Sequence, residues 1–257
     1  MTKNRTLTQI RIFIVVILIF ICLPQIVLTQ TTSVEYICTG TDNQTPVYII
    51  RTQFEKPIIM VLAGTHGDEI AGIKATQYLK DNIDIEKGTL IIIPEANILA
   101  CKKGLRSFPQ DMNLNRAYPG DPQGNSIEKL AYEIFGLIKS YNVDLLIDLH
   151  ESVEFYKKNS ENYGQTIVID SADDYLFKLD SSIVEEMNEG IIDNNIEYQV
   201  LVRPIEGSST YNAFFKLHIP AMTFETCRKL PLSQRIEEHI KFIKIILFKF
   251  NMLSMQR

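Results

Sequence analysis

Cysteine is scarce in this sequence: four cysteines occur among its 257 residues, and none forms a CxxC pair. Cys22 lies in an apolar N-terminal run, which leaves Cys38, Cys101 and Cys227 in the rest of the chain. At most one disulfide can therefore form there. Because free cysteine is among the most frequently buried residue types, we interpret Cys227 as a packing residue rather than a nucleophile.

Basic residues are also in short supply. The 26 lysines and arginines are outnumbered by 31 aspartates and glutamates, which gives a formal net charge of −5. A protein that binds nucleic acid through its phosphates needs a positively charged surface, and this chain has no excess of positive charge from which to build one. A nucleic-acid partner is therefore not expected.

Two common motifs are missing as well. The sequence contains no GxSxG motif, which disfavours a serine hydrolase of that type. Gly64, Gly67 and Gly72 follow an apolar run and resemble a dinucleotide-binding turn, but their spacing differs from GxGxxG. Asp68 and Glu69 would also place negative charge where a helix N-terminus should receive a pyrophosphate. A dinucleotide site is therefore disfavoured.

The first thirty residues differ from the rest of the chain. Three basic residues precede the uncharged run from Ile12 to Leu23, which is typical of a secretory signal peptide. The region near Leu28 lacks the small residues of a cleavage site, and a run extended to that residue approaches the minimum length of a membrane span. We therefore expect residues 1–30 to be a signal peptide or an N-terminal membrane anchor, and residues 31–257 to form one domain outside the cytoplasm.

Short apolar runs alternate with amphipathic segments along the rest of the chain. The predicted strands cover residues 34–38, 47–50, 58–62, 89–94, 143–149, 166–169, 198–202 and 221–224, the first two as an edge hairpin. The predicted helices cover residues 69–79, 127–140, 173–187, 210–217 and 234–251, with Ser126 as the N-cap of the second. Residues 96–124 are polar and irregular, and a loop of this length is usually functional or disordered. This alternation predicts an α/β fold, a three-layer sandwich with a mixed, mainly parallel central sheet.

Histidine and carboxylate side chains follow the predicted buried strands. His66 and Glu69 lie in the turn after the strand 58–62, and His150 directly follows the strand 143–149. If these strands are neighbours in a parallel sheet, their ends open into one crevice, where ligands of open α/β sheets bind. Two imidazoles and a carboxylate are ligands that zinc accepts. The sequence therefore predicts a zinc site formed by these three side chains.

One further carboxylate lies at the end of a predicted buried strand, and the two remaining histidines do not. The strand 221–224 leads into Glu225, which adds a carboxylate at the same sheet edge. His218 lies in a loop shortly before Pro220, and His239 lies on the last predicted helix. We interpret both histidines as structural.

The motifs around these residues resemble the zinc carboxypeptidase superfamily, and within it the succinylglutamate desuccinylase/aspartoacylase branch. The matching motifs are GTHGDE at 64–69, NR at 115–116 followed by AYPG, DLH at 148–150 and FET at 224–226. HxxE alone is a weak signal, but the four motifs in this order are specific together. The resemblance implies a zinc-carboxypeptidase-like fold and a zinc-hydrolase catalytic domain over residues 31–257.

The resemblance also implies a role for each metal-site residue. His66, Glu69 and His150 would bind one Zn²⁺ and leave a coordination position for a water, which the metal acidifies while it polarises the scissile carbonyl. Glu225 would be the general base that takes the proton of this water and delivers it to the leaving amine, with a carboxylate merely solvated at the strand end as the alternative.

Residues of the long loop would contact the substrate. Arg116 would hold a substrate carboxylate or polarise the carbonyl through its fixed fork of donors, and Asn115 would donate a neighbouring hydrogen bond. Arg106 would stabilise the oxyanion, with a solvated loop arginine as the alternative. Arg203 and Tyr211 match further substrate contacts of the family only loosely.

One residue departs from the family pattern. The family usually has an aspartate two residues before the Asn-Arg pair, where it supports a zinc histidine, and here that position is Asn113. An amide oxygen accepts the imidazole proton but carries no charge, so it raises the basicity of the ligand less. Asp111 is an alternative if the loop bends. We expect the asparagine to change the metal affinity rather than the type of reaction.

The implied activity is hydrolysis of an amide bond near a substrate carboxylate. Residues 226–257 predict one helix where the branch usually continues into a β-rich domain, so we expect a more open cleft. An open cleft and export favour peptide or cell-wall peptide substrates. The alternatives are a small N-acyl amino acid, as for aspartoacylase and succinylglutamate desuccinylase, and a non-catalytic metal- or peptide-binding protein on the same fold.

Overall fold

A computed structural model describes residues 30–109, 112–171 and 174–254 of the chain. Nearly all of the expected leader lies outside these ranges, so its function as a signal peptide or anchor stays a prediction. Within the described ranges, no helix combines the length and hydrophobicity that crossing a bilayer requires.

Eight strands and six α-helices make up the described part of the chain. The strands are Thr31–Ile37 (β1), Thr45–Arg51 (β2), Ile58–Ala63 (β3), Thr89–Ile93 (β4), Leu145–Ser152 (β5), Thr166–Ile169 (β6), Gln199–Val202 (β7) and Ala221–Cys227 (β8). The helices are Ile70–Asn82 (α1), Ile98–Lys103 (α2), Ser126–Ser140 (α3), Asp174–Asn188 (α4), Ser209–Leu217 (α5) and Leu232–Lys249 (α6). Short 3-10 helices cover Leu114–Arg116 and Asn194–Ile196.

The strands form one mixed sheet in the order β1-β2-β4-β3-β5-β8-β6-β7. The four central strands β4, β3, β5 and β8 run parallel, and β7 is parallel to β6. The antiparallel pairs are β1 with β2, β2 with β4 and β6 with β8. The predicted mixed, mainly parallel sheet with an edge hairpin is confirmed.

Apolar side chains cover both faces of this sheet. On one face, Leu79 of α1, Ile183 of α4 and Phe242 of α6 belong to one buried cluster. On the other face, Leu130 of α3 and Ala213 of α5 belong to a second cluster. Continuous apolar runs such as β3, which is buried along its whole length, suit a parallel sheet covered by helices on both faces. The predicted three-layer sandwich is confirmed.

The sheet order brings the predicted site residues to one edge. In β3 and β5, Ala63 pairs with Leu149, and in β5 and β8, His150 pairs directly with Glu225. The carboxyl ends of three neighbouring parallel strands therefore meet here, the usual position of a ligand crevice in an open α/β sheet.

The long loop is more regular than the sequence pattern predicted. It contains α2, for which Asn97 is the N-cap and Gly104, in the left-handed conformation, is the C-cap, as well as the 3-10 turn Leu114–Arg116. Helices of six residues and fewer are too short to show a hydrophobic period, so the pattern does not reveal them.

The predicted N-cap of α3 was wrong by one residue. Asn125 accepts hydrogen bonds from the backbone N–H groups of Ile127 and Glu128, and the Glu128 carboxylate accepts from the N–H of Asn125. This reciprocal pair is a capping box, which satisfies two backbone donors that the helix leaves open. Ser126 is instead the first residue of the helix.

Two of the site strands are longer than predicted. The pairing of β5 with β8 continues to Ser152 and Cys227, so His150 and Glu225 lie within the strands rather than after them. The three cysteines of the described chain are free, and Cys227 is buried, in agreement with a packing role.

Candidate metal centre and catalytic cleft

The turn between β3 and α1 is shaped by two glycines. Gly64 has a positive φ of 68°, and a Cβ atom on Gly67 would lie 2.1 Å from the backbone carbon of Ala100 in α2. Only glycine allows the turn to lie this close to α2. The glycines of the GTHGDE motif therefore hold the backbone in the shape that brings His66 and Glu69 to the sheet edge.

His66, Glu69 and His150 converge on one point. The Nδ1 atom of His66 lies 2.8 Å from Oε1 of Glu69, and Nδ1 of His150 lies 2.8 Å from Oε2 of the same carboxylate. The two Nδ1 atoms are 3.2 Å apart. Ligand atoms that share a tetrahedral zinc with bonds of about 2.0–2.1 Å lie about 3.3 Å apart. The spacing of these buried side chains therefore fits a zinc ion.

The charges at this point favour a bound cation. Burial raises the pKa of the Glu69 carboxyl, but His66 and His150 reverse that effect and hold the pKa well below its usual range. Burial lowers the pKa of His150, whereas Asp148 and Glu69 raise it, and the net pKa lies well above that of a free histidine. The surrounding carboxylates thus stabilise a positive charge, either a proton on His150 or a metal ion in its place.

An oxygen atom lies behind each histidine. Oδ1 of Asn113 is 3.2 Å from Nε2 of His66, and Oδ1 of Asp148 is 3.3 Å from Nε2 of His150. The first contact has hydrogen-bond geometry, while the second is close without being aligned for a hydrogen bond. A proton held on Nε2 leaves the lone pair of Nδ1 free for a metal. The alternative Asp111 lies outside the described residues.

Glu225 lies in the same cleft, beside the three candidate metal ligands. The cleft has a volume of about 290 Å³, and its lining includes Arg106, Asn115, Arg116, Glu225 and Arg228. Glu225 is buried, and this burial raises the pKa of its carboxyl to about 8. The charge of His150 lowers this pKa, the charge of Glu69 raises it, and the charge of Arg106 lowers it. The structure therefore brings the predicted base to the predicted metal ligands.

The predicted substrate-binding residues line the cleft as well. Arg116 donates from Nη1 to the backbone oxygen of Asn115 at 2.6 Å and makes no ion pair with a described carboxylate. Oδ1 of Asn115 is buried and has no hydrogen-bond partner in the described chain. Arg106 donates from Nη1 to Oε1 of Glu69 at 2.9 Å, so it contacts a ligand residue as well as facing the cleft. Arg116 is thus the arginine best placed to receive an external anion.

Arg203 and Tyr211 do not contribute to the cleft lining. The Arg203 guanidinium lies 4.9 Å from the ring centroid of Tyr163 and donates to the backbone oxygen of Ser160. The Tyr211 ring packs against the Phe215 ring on α5, with an angle of 45° between the ring planes. The positions of Arg203 and Tyr211 therefore do not support a role in substrate binding.

The two other histidines have structural environments. His239 is fully buried, with Nε2 3.2 Å from the Thr226 hydroxyl and its ring against Phe224. His218 is the C-cap of α5 in the left-handed conformation. Both positions agree with their interpretation as structural residues.

Sequence reasoning missed two charged residues at the site. Arg228, three residues after Glu225, donates to Oδ2 of Asp68 at 3.0 Å and lines the cleft. Asp148 accepts from the hydroxyls of Thr65 and Ser209 and lies against His150. The strand period offered a signal for Asp148, because residues two apart point to the same face of a strand. No pattern in the sequence indicated Arg228.

Comparisons with known proteins agree with this geometry. Residues 55–161 match the succinylglutamate desuccinylase/aspartoacylase catalytic domain. The chain is 40% identical over 108 residues to N-alpha-acetyl-L-2,4-diaminobutyric acid deacetylase of Halomonas elongata, a match that covers 41% of this chain and 31% of that protein. It is 30% identical over 134 residues to aspartoacylase of Danio rerio, covering 47% of this chain and 39% of that protein. The chain thus spans less than half the length of these relatives.

Solved structures share the fold. The mDAP-bound form of Csd4, a D,L-carboxypeptidase from Helicobacter pylori, superimposes with a TM-score of 0.68 at 21% identity, covering 77% of this chain and 51% of that one. At this identity the likeness concerns the fold alone, which is carboxypeptidase-like. Residues 55–161, which contain the GTHGDE, NR and DLH motifs, are therefore similar to the succinylglutamate desuccinylase/aspartoacylase catalytic domain.

Proposed function

We propose that this chain is a zinc-dependent hydrolase of amide bonds. The observation that carries the proposal is the convergence of His66, Glu69 and His150 within one cleft with the buried carboxyl of Glu225. The curated relatives support the amide as the bond cleaved, because one is a deacetylase and the other an aspartoacylase.

Zinc is the metal that we propose for the site. Two imidazole nitrogens and one carboxylate form the donor set of many catalytic zinc sites, in which a fourth position stays open. Such an ion supplies Lewis-acid polarisation of a carbonyl and lowers the pKa of a bound water. The protein contributes the orientation of the ligands, through the glycine turn before α1 and the oxygen atoms of Asn113 and Asp148 behind the imidazoles.

Glu225 is the proposed general base. Its raised pKa, about 8, lies near neutral pH, where a carboxyl group can both accept a proton and deliver it again. A neighbouring positive charge favours the ionised form of a carboxyl group, so the lowering effect of Arg106 on this pKa supports the basic form. The leaving amine would receive the proton from the same carboxyl.

The loop arginines are the proposed anchors of the substrate. The Arg116 guanidinium faces the cleft without a carboxylate partner among the described residues and offers a planar fork of donors to a substrate carboxylate. The Asn115 side chain lies in the same lining. Arg106 is proposed to stabilise the negative charge that develops on the carbonyl oxygen. These positions favour a scissile amide close to a free carboxylate.

Two substrate classes satisfy this description. The curated relatives favour a small N-acyl amino acid, whereas the fold shared with the carboxypeptidase Csd4 favours a peptide. We propose a peptide or cell-wall peptide as the substrate, with N-acyl amino acids as the second candidate. The proposed location outside the cytoplasm rests on the sequence of residues 1–30 and favours the peptide.

Assays of the purified, zinc-loaded protein test the proposal. N-acetylaspartate, N-succinylglutamate and peptides with free or amidated C-termini are compared, and the free peptides should be cleaved faster than the amidated ones because Arg116 binds a carboxylate. Glu225→Gln should keep the zinc but lose activity, by about 10²–10⁴-fold for a lost general base. A wild-type protein that binds zinc yet cleaves none of these amides would instead support a binding protein.

A further inference from the structure

Glu151 and Arg235 form an ion pair directly behind the metal ligands. Glu151 follows His150 on β5, and its side chain is only 1% exposed, while that of Arg235 on α6 is 13% exposed. We infer that this pair is a positioning device that keeps the Glu69 carboxylate available to the metal, an inference that rests on the proposed metal site. Neither residue lies in the motifs that carry the family resemblance.

Two hydrogen bonds, made by the carboxylates of Glu69 and Glu151, join the two segments that carry the ligands. The backbone N–H of Glu151 donates to Oε2 of Glu69 at 3.1 Å. In return, the backbone N–H of Ala71, two residues after Glu69, donates to Oε2 of Glu151 at 2.9 Å. The turn with His66 and Glu69 is thereby joined twice to the strand with His150. The two bonds fix the relative position of all three ligands.

The start of α1 explains why the second bond matters. Glu69 is the N-cap residue of this helix, yet its side chain makes no capping hydrogen bond. An N-cap side chain normally accepts from the backbone N–H groups of the first turn, which otherwise lack partners. Here Glu151 accepts from that turn in its place. Without this acceptor, the Glu69 carboxylate would be drawn toward its own helix and away from His66 and His150.

Arg235 allows a carboxylate to be buried at this position. Its Nη1 donates to Oε1 of Glu151, and its Nε donates to the backbone oxygen of Leu230 at 3.0 Å, which orients the guanidinium. An unpaired charge in this environment would be strongly unfavourable, whereas a hydrogen-bonded pair is tolerated. The final helix thus supports the metal centre through Glu151.

Two double variants separate the acceptor from the charge. In Glu151→Gln/Arg235→Met, the amide oxygen of glutamine can still accept a hydrogen bond from the backbone N–H of Ala71. In Glu151→Leu/Arg235→Met, this acceptor is lost. Neither double variant leaves a buried charge without its partner. Zinc affinity is measured by competition with a chelator, without substrate, so the result is independent of any hydrolase activity. We expect the glutamine variant to bind zinc much as the wild type does and the leucine variant to bind about 10–100-fold more weakly, the range for lost support of metal ligands.

A matched control removes an ion pair of the same helix far from the site. Lys249→Met breaks the contact of Lys249 with Glu186 and should leave zinc affinity unchanged. Equal zinc affinity of the glutamine and leucine variants would overturn the inference. If either variant fails to fold, amide hydrogen exchange in the wild type tests the inference instead. The N–H groups of Ala71 and Glu151 should both be protected from exchange, and their protection should increase together on zinc binding. Rapid exchange of either N–H group would contradict the proposed pair of hydrogen bonds.

Discussion

The amide oxygen of Asn113 lies 3.2 Å from Nε2 of His66, at the position where the family resemblance implies a carboxylate. The same oxygen accepts from the backbone N–H of Asn115 at 2.9 Å, so the side chain is held by the 3-10 turn that carries Asn115 and Arg116. An uncharged acceptor therefore orients the imidazole, and one side chain connects the proposed metal ligand His66 to the proposed substrate-binding residues.

Removing this acceptor should weaken zinc binding. Asn113→Leu has a similar size but cannot accept the Nε2 proton, and we expect zinc affinity to fall by about 10–100-fold. Asn113→Asp should bind zinc at least as tightly as the wild type, because a charged acceptor makes the imidazole a stronger ligand. Chelator competition measures both. Unchanged affinity of Asn113→Leu would show that the contact does not support His66.

Arg106 should control the pH dependence of activity. Its positive charge lowers the pKa of Glu225, which burial raises to about 8. If Glu225 is the base, kcat/KM rises with pH as this carboxyl loses its proton, and a bound cation places the rise below pH 8. Arg106→Gln should move the rise to higher pH, in addition to any loss of rate. Arg106→Lys keeps the charge and is the control, since it should leave the midpoint of the rise nearly in place.

The pH–rate profile distinguishes this effect from a simple loss of substrate binding. A variant that only binds substrate less well changes the height of the profile and not its midpoint. Identical midpoints for Arg106→Gln and Arg106→Lys would therefore contradict the proposed electrostatic link between Arg106 and Glu225.

The glycine turn should be essential for the metal site. Gly67→Ala would place a Cβ atom 2.1 Å from the backbone of Ala100, so α2 or the turn must move. We expect a loss of unfolding free energy of at least about 1–3 kcal/mol, typical of overpacking, together with weaker zinc binding.

Gly136 on α3 provides the matched control for this substitution. A Cβ atom on Gly136 meets nothing within 4 Å, and alanine favours a helix interior over glycine by roughly 0.5–1 kcal/mol. Gly136→Ala should therefore stabilise the protein slightly and leave zinc binding unchanged. Urea unfolding and zinc titration of both variants check the prediction, which fails if Gly67→Ala behaves like Gly136→Ala.

The sequence was sufficient to predict the architecture and the convergence of His66, Glu69 and His150. Buried parallel strands such as β3 are continuous apolar runs, and the ligands follow such runs, so the strand order alone determines whether they meet. The neighbouring positions of β3, β5 and β8 bring them together. The ends of strands and helices were less predictable where they depend on strand pairing or on a capping residue. Examples are the extension of β5 beyond His150 and Asn125 as the N-cap of α3.

Two ion pairs at the site, Glu151 with Arg235 and Arg228 with Asp68, could not be predicted. Glu151 and Arg235 are 84 residues apart in the chain and meet only after the final helix packs beside α1. Arg228 and Asp68 are separated by 160 residues. Local patterns carry no information about such pairs, because their meeting depends on the packing of whole elements rather than on the period of a helix or strand.

The metal content of the purified protein shows whether His66, Glu69 and His150 bind a zinc ion. We expect one zinc ion per chain by elemental analysis after dialysis against zinc-containing buffer. We also expect His150→Ala to lose that ion and the His218→Ala control to retain it. A wild-type chain without stoichiometric zinc, or a His150→Ala chain that retains its zinc, would contradict the claim that His66, Glu69 and His150 together form the metal centre.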